Sequence, residues 1–309
     1  VAGARLSGIL ALVLASLLWG TTGVTATFFP DDVSPLAIGA ATMGIGGALL
    51  LLTAPRASSR VLRDPVGCRW AALGAVGVVV YPLAFYAGMD LVGVAVGNVV
   101  ALGSGPVFAA LLEWIVERSR LSRRWLICTA LAVLGILLLA LGRQEGGAAD
   151  ASPALAGLGL GLGLLAGLAY AVYTYASSRA IRAGHASRGV MGGMFGLGAL
   201  PLLAVLVVVG APLLRSPLSI GLTGYLALGP MLLAYLLFGI GLRTVRSSAA
   251  TTITLLEPVV ATALAVLLVG ERLAPLGWVG FALVLGGLTL LVTARRTAPT
   301  SPTRLESDT

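Results

Sequence analysis

Glu257 stands about ten residues into an apolar run of roughly 22, the length of one membrane crossing. A carboxylate near a bilayer midplane costs about 2.5 to 3.5 kcal/mol on insertion scales for Asp, so it persists only where it faces a helix bundle or water. Two chemistries suit it. It can alternate between protonated and charged states or pair with a cation, or it can stay a protonated structural acid hydrogen-bonded across an interface. Ala250, Thr254, Glu257 and Ala261 share one face at helical spacing, and the small neighbours let a second helix or a small molecule approach. Trp19 and Tyr170 lie deep in their own apolar runs and are candidates to meet the same space. Tyr81, Tyr86, Tyr173 and Tyr235 are further candidates for its wall, although an interfacial aromatic belt also accounts for Tyr173 and Tyr175. Asn98, on one face with Ala101 and Gly105, can hydrogen-bond a ligand or another helix. Pro106 and Pro258 each remove a backbone donor and free a carbonyl about a turn earlier, giving either polar backbone at depth or a simple kink.

Other polar residues read more plainly. Glu113, close to Glu117 and Arg118, is expected as a solvated or snorkelling helix end, and Glu271 as a cap or loop anchor. All 20 basic residues are arginine, which removes the lysine of a P-loop and of Schiff-base chemistry. The single histidine, His185, sits in a polar stretch, and Cys68 and Cys128 suggest neither a disulfide framework nor a metal cage, so no metal or cofactor is expected. Gly103-Ser104-Gly105 has no histidine base to serve it, and the glycines at 157, 159, 161 and 163 lack a βαβ context. With His, Lys and paired acids missing from the apolar runs, no enzyme is expected.

These side chains must be positioned by helices. Of the 309 residues 58% are hydrophobic and 10% charged, with a mean hydropathy of +1.01, which excludes a soluble domain. Apolar runs near residues 7–29, 34–54, 70–89, 92–116, 125–142, 154–177, 189–210, 218–241, 248–269 and 275–293 predict ten spans of an all-α membrane protein. With a cytoplasmic amino terminus, only Arg143, Arg215 and Arg272 of the twenty arginines fall outside, so both termini are expected in the cytoplasm of a multi-pass protein of the cell membrane. The first span has signal-peptide features but is read as retained. Residues 297–309 read as a disordered cytoplasmic tail.

A shift of 152 residues aligns Pro106-Val107 with Pro258-Val259, Ala109 with Ala261, Arg120-Leu121 with Arg272-Leu273, and Gly135 with Gly287. This divides the chain into five-span repeats at 1–145 and 146–296. Five is odd, so the second copy enters the membrane from the opposite face, an arrangement characteristic of secondary transporters. Leu17-Leu18-Trp19-Gly20, Glu257-Pro258 and Gly270-Glu271-Arg272-Leu273 carry a resemblance to the EamA-type members of the drug/metabolite transporter superfamily, over nearly the whole chain. The first-half match is looser, since Ser119 stands where the second half has Glu271. Pro35 is followed by Ala41-Thr42-Met43 without the arginine common in that family's second span. The resemblance implies a secondary transporter exporting a small metabolite, amino acid or drug-like compound by alternating access, with protons as candidate coupling ion. Uptake or exchange, and a lipid-handling or structural role, are the alternatives. The expected partners are a small-molecule substrate and the bilayer, not nucleic acid; substrate and oligomeric state stay open.

Overall fold

The computed structural model describes residues 2–92, 94–119, 122–142, 153–269 and 272–293. Arg120, Leu121, Arg143, Gly270, Glu271, Arg295, Arg296, the repeat boundary at 145/146 and the 297–309 tail with Arg304 lie outside the described residues. The helices are α1 (Ala2–Ala26), α2 (Pro35–Thr53), α3 (Pro55–Arg63), α4 (Pro65–Val92), α5 (Val94–Glu117), α6 (Arg123–Leu141) and α7 (Pro153–Arg182). They continue as α8 (Ser187–Val209), α9 (Pro217–Leu226), α10 (Ala234–Gly241), α11 (Ser247–Ile253), α12 (Leu256–Leu264) and α13 (Pro275–Val292). Ten helical stretches among the described residues are long and apolar enough to cross a membrane, as the hydropathy predicts. The third and sixth, α4 and α7, run several residues beyond their apolar cores, because a helix continues through its polar ends while hydropathy registers only the apolar part.

Helix starts follow local chemistry. Ser34, Ser122 and Ser216 accept from the amides of Ala37, Trp125 and Ser219, relieving orphan donors, and Pro35, Pro217 and Pro275 occupy first-turn positions whose amides need no partner. Asp64 caps α4 by accepting from the Gly67 amide at 2.7 Å, and this bond, helped by His185 at 3.1 Å, holds its carboxyl below the usual carboxylate range. The short α3 is amphipathic, burying Ser58 and Val61 while Arg56, Arg60 and Arg63 stay exposed.

Two spans are interrupted. The eighth consists of α9 and α10 joined by a π-helical stretch, Ala227–Leu233, around Pro230. The ninth breaks at Thr254–Leu255, between α11 and α12, and ends in a second π-helical stretch, Ala265–Val269. Pro258 has no amide to bond the Thr254 carbonyl; the Glu257 amide reaches it instead at 2.9 Å, tightening the turn that presents Glu257. α5, by contrast, runs through Pro106 as one helix, so the expected interruption is found in the ninth span and not in the fourth.

The packing partners are few and definite. α4 and α5 lie against α7, and α1 lies against α10, α11 and α12. α2 packs on α8, α6 on α13, and α5 on α11. Tyr173, Phe195, Phe238, Met191, Met194 and Leu202 fill the centre, whereas Val207 is 84% exposed on the outer surface, where lipid rather than water is its natural neighbour. Glycines set the closest approaches: a Cβ on Gly135 would stand 2.7 Å from the Gly280 carbonyl oxygen of the facing helix. Gly135→Leu is therefore expected to drive α6 and α13 apart, with the loss of about 1–3 kcal/mol usual for overpacking. Thermal denaturation of the detergent-solubilised chain reads this as a lower Tm, and an unchanged Tm contradicts the assigned packing.

Candidate functional site

A cavity of about 110 Å³ lies where α1, α2, α4, α5, α7, α12 and the π-helical stretch of the eighth span converge. Glu257, in the first turn of α12, lines it and is half-buried. The remaining wall is largely aromatic: Trp19 from α1, Tyr81, Phe85 and Tyr86 from α4, Tyr170 and Tyr173 from α7, and Tyr235 from α10. Five of the seven tyrosines in the chain meet here.

These rings are fixed by their neighbours. Trp19 stands 5.0 Å from Tyr235, Tyr81 stacks on Phe85 at 5.4 Å, and Tyr170 lies 5.3 Å from Tyr173 between ring centres. Several of their polar atoms are paired within the wall, whereas among the described residues the Tyr81 and Tyr86 hydroxyls are not. The Trp19 indole N–H donates to the Pro230 carbonyl at 2.8 Å, and Tyr173 and Tyr235 share a hydroxyl hydrogen bond of 2.9 Å. Thr254 donates to the Thr251 carbonyl, so the Tyr170 hydroxyl is the donor in the 2.6 Å bond between Tyr170 and Thr254. Backbone geometry makes the room: Gly20 brings α1 against α12, where a Cβ would stand 3.0 Å from the Glu257 carbonyl oxygen, and Gly39 faces the Tyr86 ring with no space for a side chain.

Glu257 is the one carboxylate among the lining residues. Among the described residues nothing hydrogen-bonds or ion-pairs its carboxylate. Tyr81, Tyr86, Tyr170 and Tyr235 share the wall with it, and among the described residues no arginine does. A group so placed can bind a proton or a ligand cation, because no protein partner competes for it.

Of the residues singled out in the sequence, Glu257, Trp19, Tyr81, Tyr170 and Tyr235 line the cavity, and Thr254 supports it through Tyr170. Pro258 shapes the turn beneath Glu257. Asn98 on α5 is not among the lining residues. The aromatic-belt expectation for Tyr173 and Tyr175 is corrected: both are buried, the first against Tyr235 and the second with its hydroxyl donating to Glu117 at 3.3 Å. Phe85, Met43, Met231, Thr22 and Thr42 also line the cavity and were not anticipated. Only Phe85 carried a local signal, four residues after Tyr81 on one helix face.

Glu113 overturns its expected reading as a solvated end. It is 2% exposed and accepts from the Ser248 amide at 3.0 Å and the Ser248 hydroxyl at 2.8 Å. Ser248 is in the first turn of α11, so a carboxylate of the fourth span caps the positive end of the ninth. Nearby, Glu117 meets Arg179 at 3.3 Å and Arg182 at 3.4 Å. Both contacts join the first five spans to the second five, and along α7 they lie beyond the cavity residues toward its carboxyl end.

A ten-span helical protein with a carboxylate unpaired among the described residues in an aromatic cavity has the architecture of a membrane transporter, and the comparisons with known proteins name the kind. The model of the EamA-like transporter family matches residues 6–141 and again 157–293. The chain belongs to that family, within the drug/metabolite transporter superfamily. It is 33% identical over 294 residues to the uncharacterized transporter YwfM of Bacillus subtilis strain 168, covering 94% of this chain and 95% of that protein. A protein known from its crystal structure superposes with a TM-score of 0.74 at 21% identity, over 94% of this chain and 96% of that one, a likeness of fold alone.

Glu113→Ala removes an acceptor from a buried amide and hydroxyl, for which about 2–3 kcal/mol is the expected loss. Its Tm should fall accordingly, while Glu117→Ala, at the half-exposed arginine cluster, should cost less than half as much. Equal Tm values for Glu113→Ala and the parent chain contradict the capping role.

Proposed function

We propose that this chain is a secondary transporter that exports a small metabolite, amino acid or drug-like compound from the cytoplasm by alternating access, driven by the proton gradient. The carrying observation is the carboxylate of Glu257, open to the cavity and unpaired among the described residues, which can take up and release a proton as the cavity changes sides. We place the protein in the cell membrane with both termini cytoplasmic, on the strength of the arginine distribution.

Support for two inverted repeats comes from the packing. Exchange spans one to five with six to ten, and the principal helix contacts are preserved. The sixth span against the third and fourth becomes the first against the eighth and ninth; the second with seventh, fourth with ninth and fifth with tenth map onto themselves. Two such halves can rock about a shared site. The bonds of Glu113 to Ser248 and of Glu117 to Arg179 and Arg182 then act as the cytoplasmic closure, which opening inward has to break.

A second reading rests on a separate observation. An apolar groove of about 540 Å³ runs between α2, α8 and α9, walled by Leu206, Val207, Leu213, Leu214 and Ile220, and such a groove suits a lipid-handling protein. No ionisable side chain lines it, so lipid exchange through it is indifferent to Glu257.

Proton-driven flux of a compound panel in proteoliposomes separates the two. Glu257→Gln should lower flux at least tenfold, or about 1.4 kcal/mol, and abolish its dependence on the imposed pH gradient. Wild-type rate and pH dependence in a correctly folded Glu257→Gln protein would refute the coupling role.

A further inference from the structure

The geometry points to an organic monocation as the occupant of this cavity: an ammonium carried on a compact apolar or aromatic body, held between Glu257 and the faces of the surrounding rings. The inference deepens the transport reading by naming a substrate class, and it rests on the cavity being the substrate site. Its first support is the sign of the charge. The chain carries a formal net charge of +8, yet the cavity wall contains one carboxylate and no arginine or histidine. An anion would meet Glu257 with no compensating cation, and like charges in a site of low dielectric repel strongly.

The second support is which polar atoms are free. The Trp19 and Tyr170 donors are spent within the wall, on the Pro230 carbonyl and on Thr254, and Tyr173 and Tyr235 share one hydrogen bond, so the donors that remain are neutral hydroxyls such as those of Tyr81 and Tyr86 and among the described residues none is cationic. Among the unpartnered groups of the wall Glu257 is the one carboxylate, an acceptor that carries a negative charge when ionised. A zwitterionic amino acid would satisfy Glu257 with its ammonium but leave its own carboxylate without a charged partner. A divalent metal is equally unsuited, because it requires several oxygen ligands, and no group of three potential ligand residues gathers among the described residues.

The third support is the rings. Aromatic faces are electron-rich and attract ammonium groups, more strongly when the pair is desolvated. Tyr81 is central to that surface, in contact with Phe85, Tyr170 and Tyr173 and within the field of Glu257. An apolar body attached to the cation fills the space that Met43 and Met231 leave among the rings.

Binding is measured on the purified full-length chain in detergent with radiolabelled phenyltrimethylammonium. Competitors are tert-butylbenzene, its neutral isostere, together with phenylacetate and phenylalanine. The expected result is saturable binding of the cation, at least tenfold weaker competition by each of the three other compounds, and at least a tenfold loss of cation affinity in Glu257→Gln. Tyr81→Leu should weaken binding severalfold while Tyr81→Phe, which keeps the ring, does not. This pair serves where Glu257→Gln fails to fold. Equal or tighter binding of phenylacetate or phenylalanine, no binding of the cation, or unchanged cation affinity in both Glu257→Gln and Tyr81→Leu overturns the inference. Flux of zwitterions or anions alone would leave the transport reading standing and remove this one. Cation binding without flux of any compound would do the reverse.

Discussion

An ionisable group inside a bilayer has to be paired, solvated or neutralised, and Glu257 is held by its surroundings in a position where none of the described residues supplies a partner. The rest of the site follows from that constraint. Rings make up most of the wall around the carboxylate, with Trp19 donating to the Pro230 carbonyl, Tyr170 to Thr254, and Tyr173 and Tyr235 sharing a hydrogen bond. The result is a small chamber with one carboxylate in its wall.

Holding that chamber falls to helix interruptions and to one buried cap. Pro258 and the turn at Thr254–Leu255 end α11 and restart the helix as α12, so Glu257 leaves the first turn of a new helix instead of the middle of a straight one. At the other end of α11, Glu113 fixes the helix start from the fourth span. The two devices act on a segment of only seven residues, too short to be stable alone. A cap that comes from the opposite half also means that the position of the ninth span depends on how the halves are docked. That dependence is what an alternating-access machine requires of its moving parts, and it ties the proposed closure to the proposed site.

The ten spans were legible because membrane burial writes itself into composition: each crossing needs a long apolar run, and Glu257, which lines the cavity, stands out as an exception within one. Trp19, Tyr81, Tyr170 and Tyr235 could be named for the same reason, as polar-tipped rings deep in apolar sequence. Glu113 was misread because its partner, Ser248, lies 135 residues away, and proximity to Glu117 and Arg118 suggested a wet helix end. Asn98 was overvalued, since an amide within an apolar run signals burial without saying against what. Pro106 and Pro258 are equivalent in the repeat, yet only the second coincides with a break, and nothing local to the two prolines separates them.

The account stands on the Glu257 carboxylate looking into a water-accessible chamber closed on one side. Its most direct test replaces Glu257 with cysteine in a background lacking Cys68 and Cys128, and adds a membrane-impermeant cationic methanethiosulfonate to either face of oriented vesicles. Glu257→Cys should react from one face only, while Glu113→Cys in the same background stays inert. A position-257 cysteine that is unreactive from both faces, or no more reactive than the one at position 113, would contradict the account.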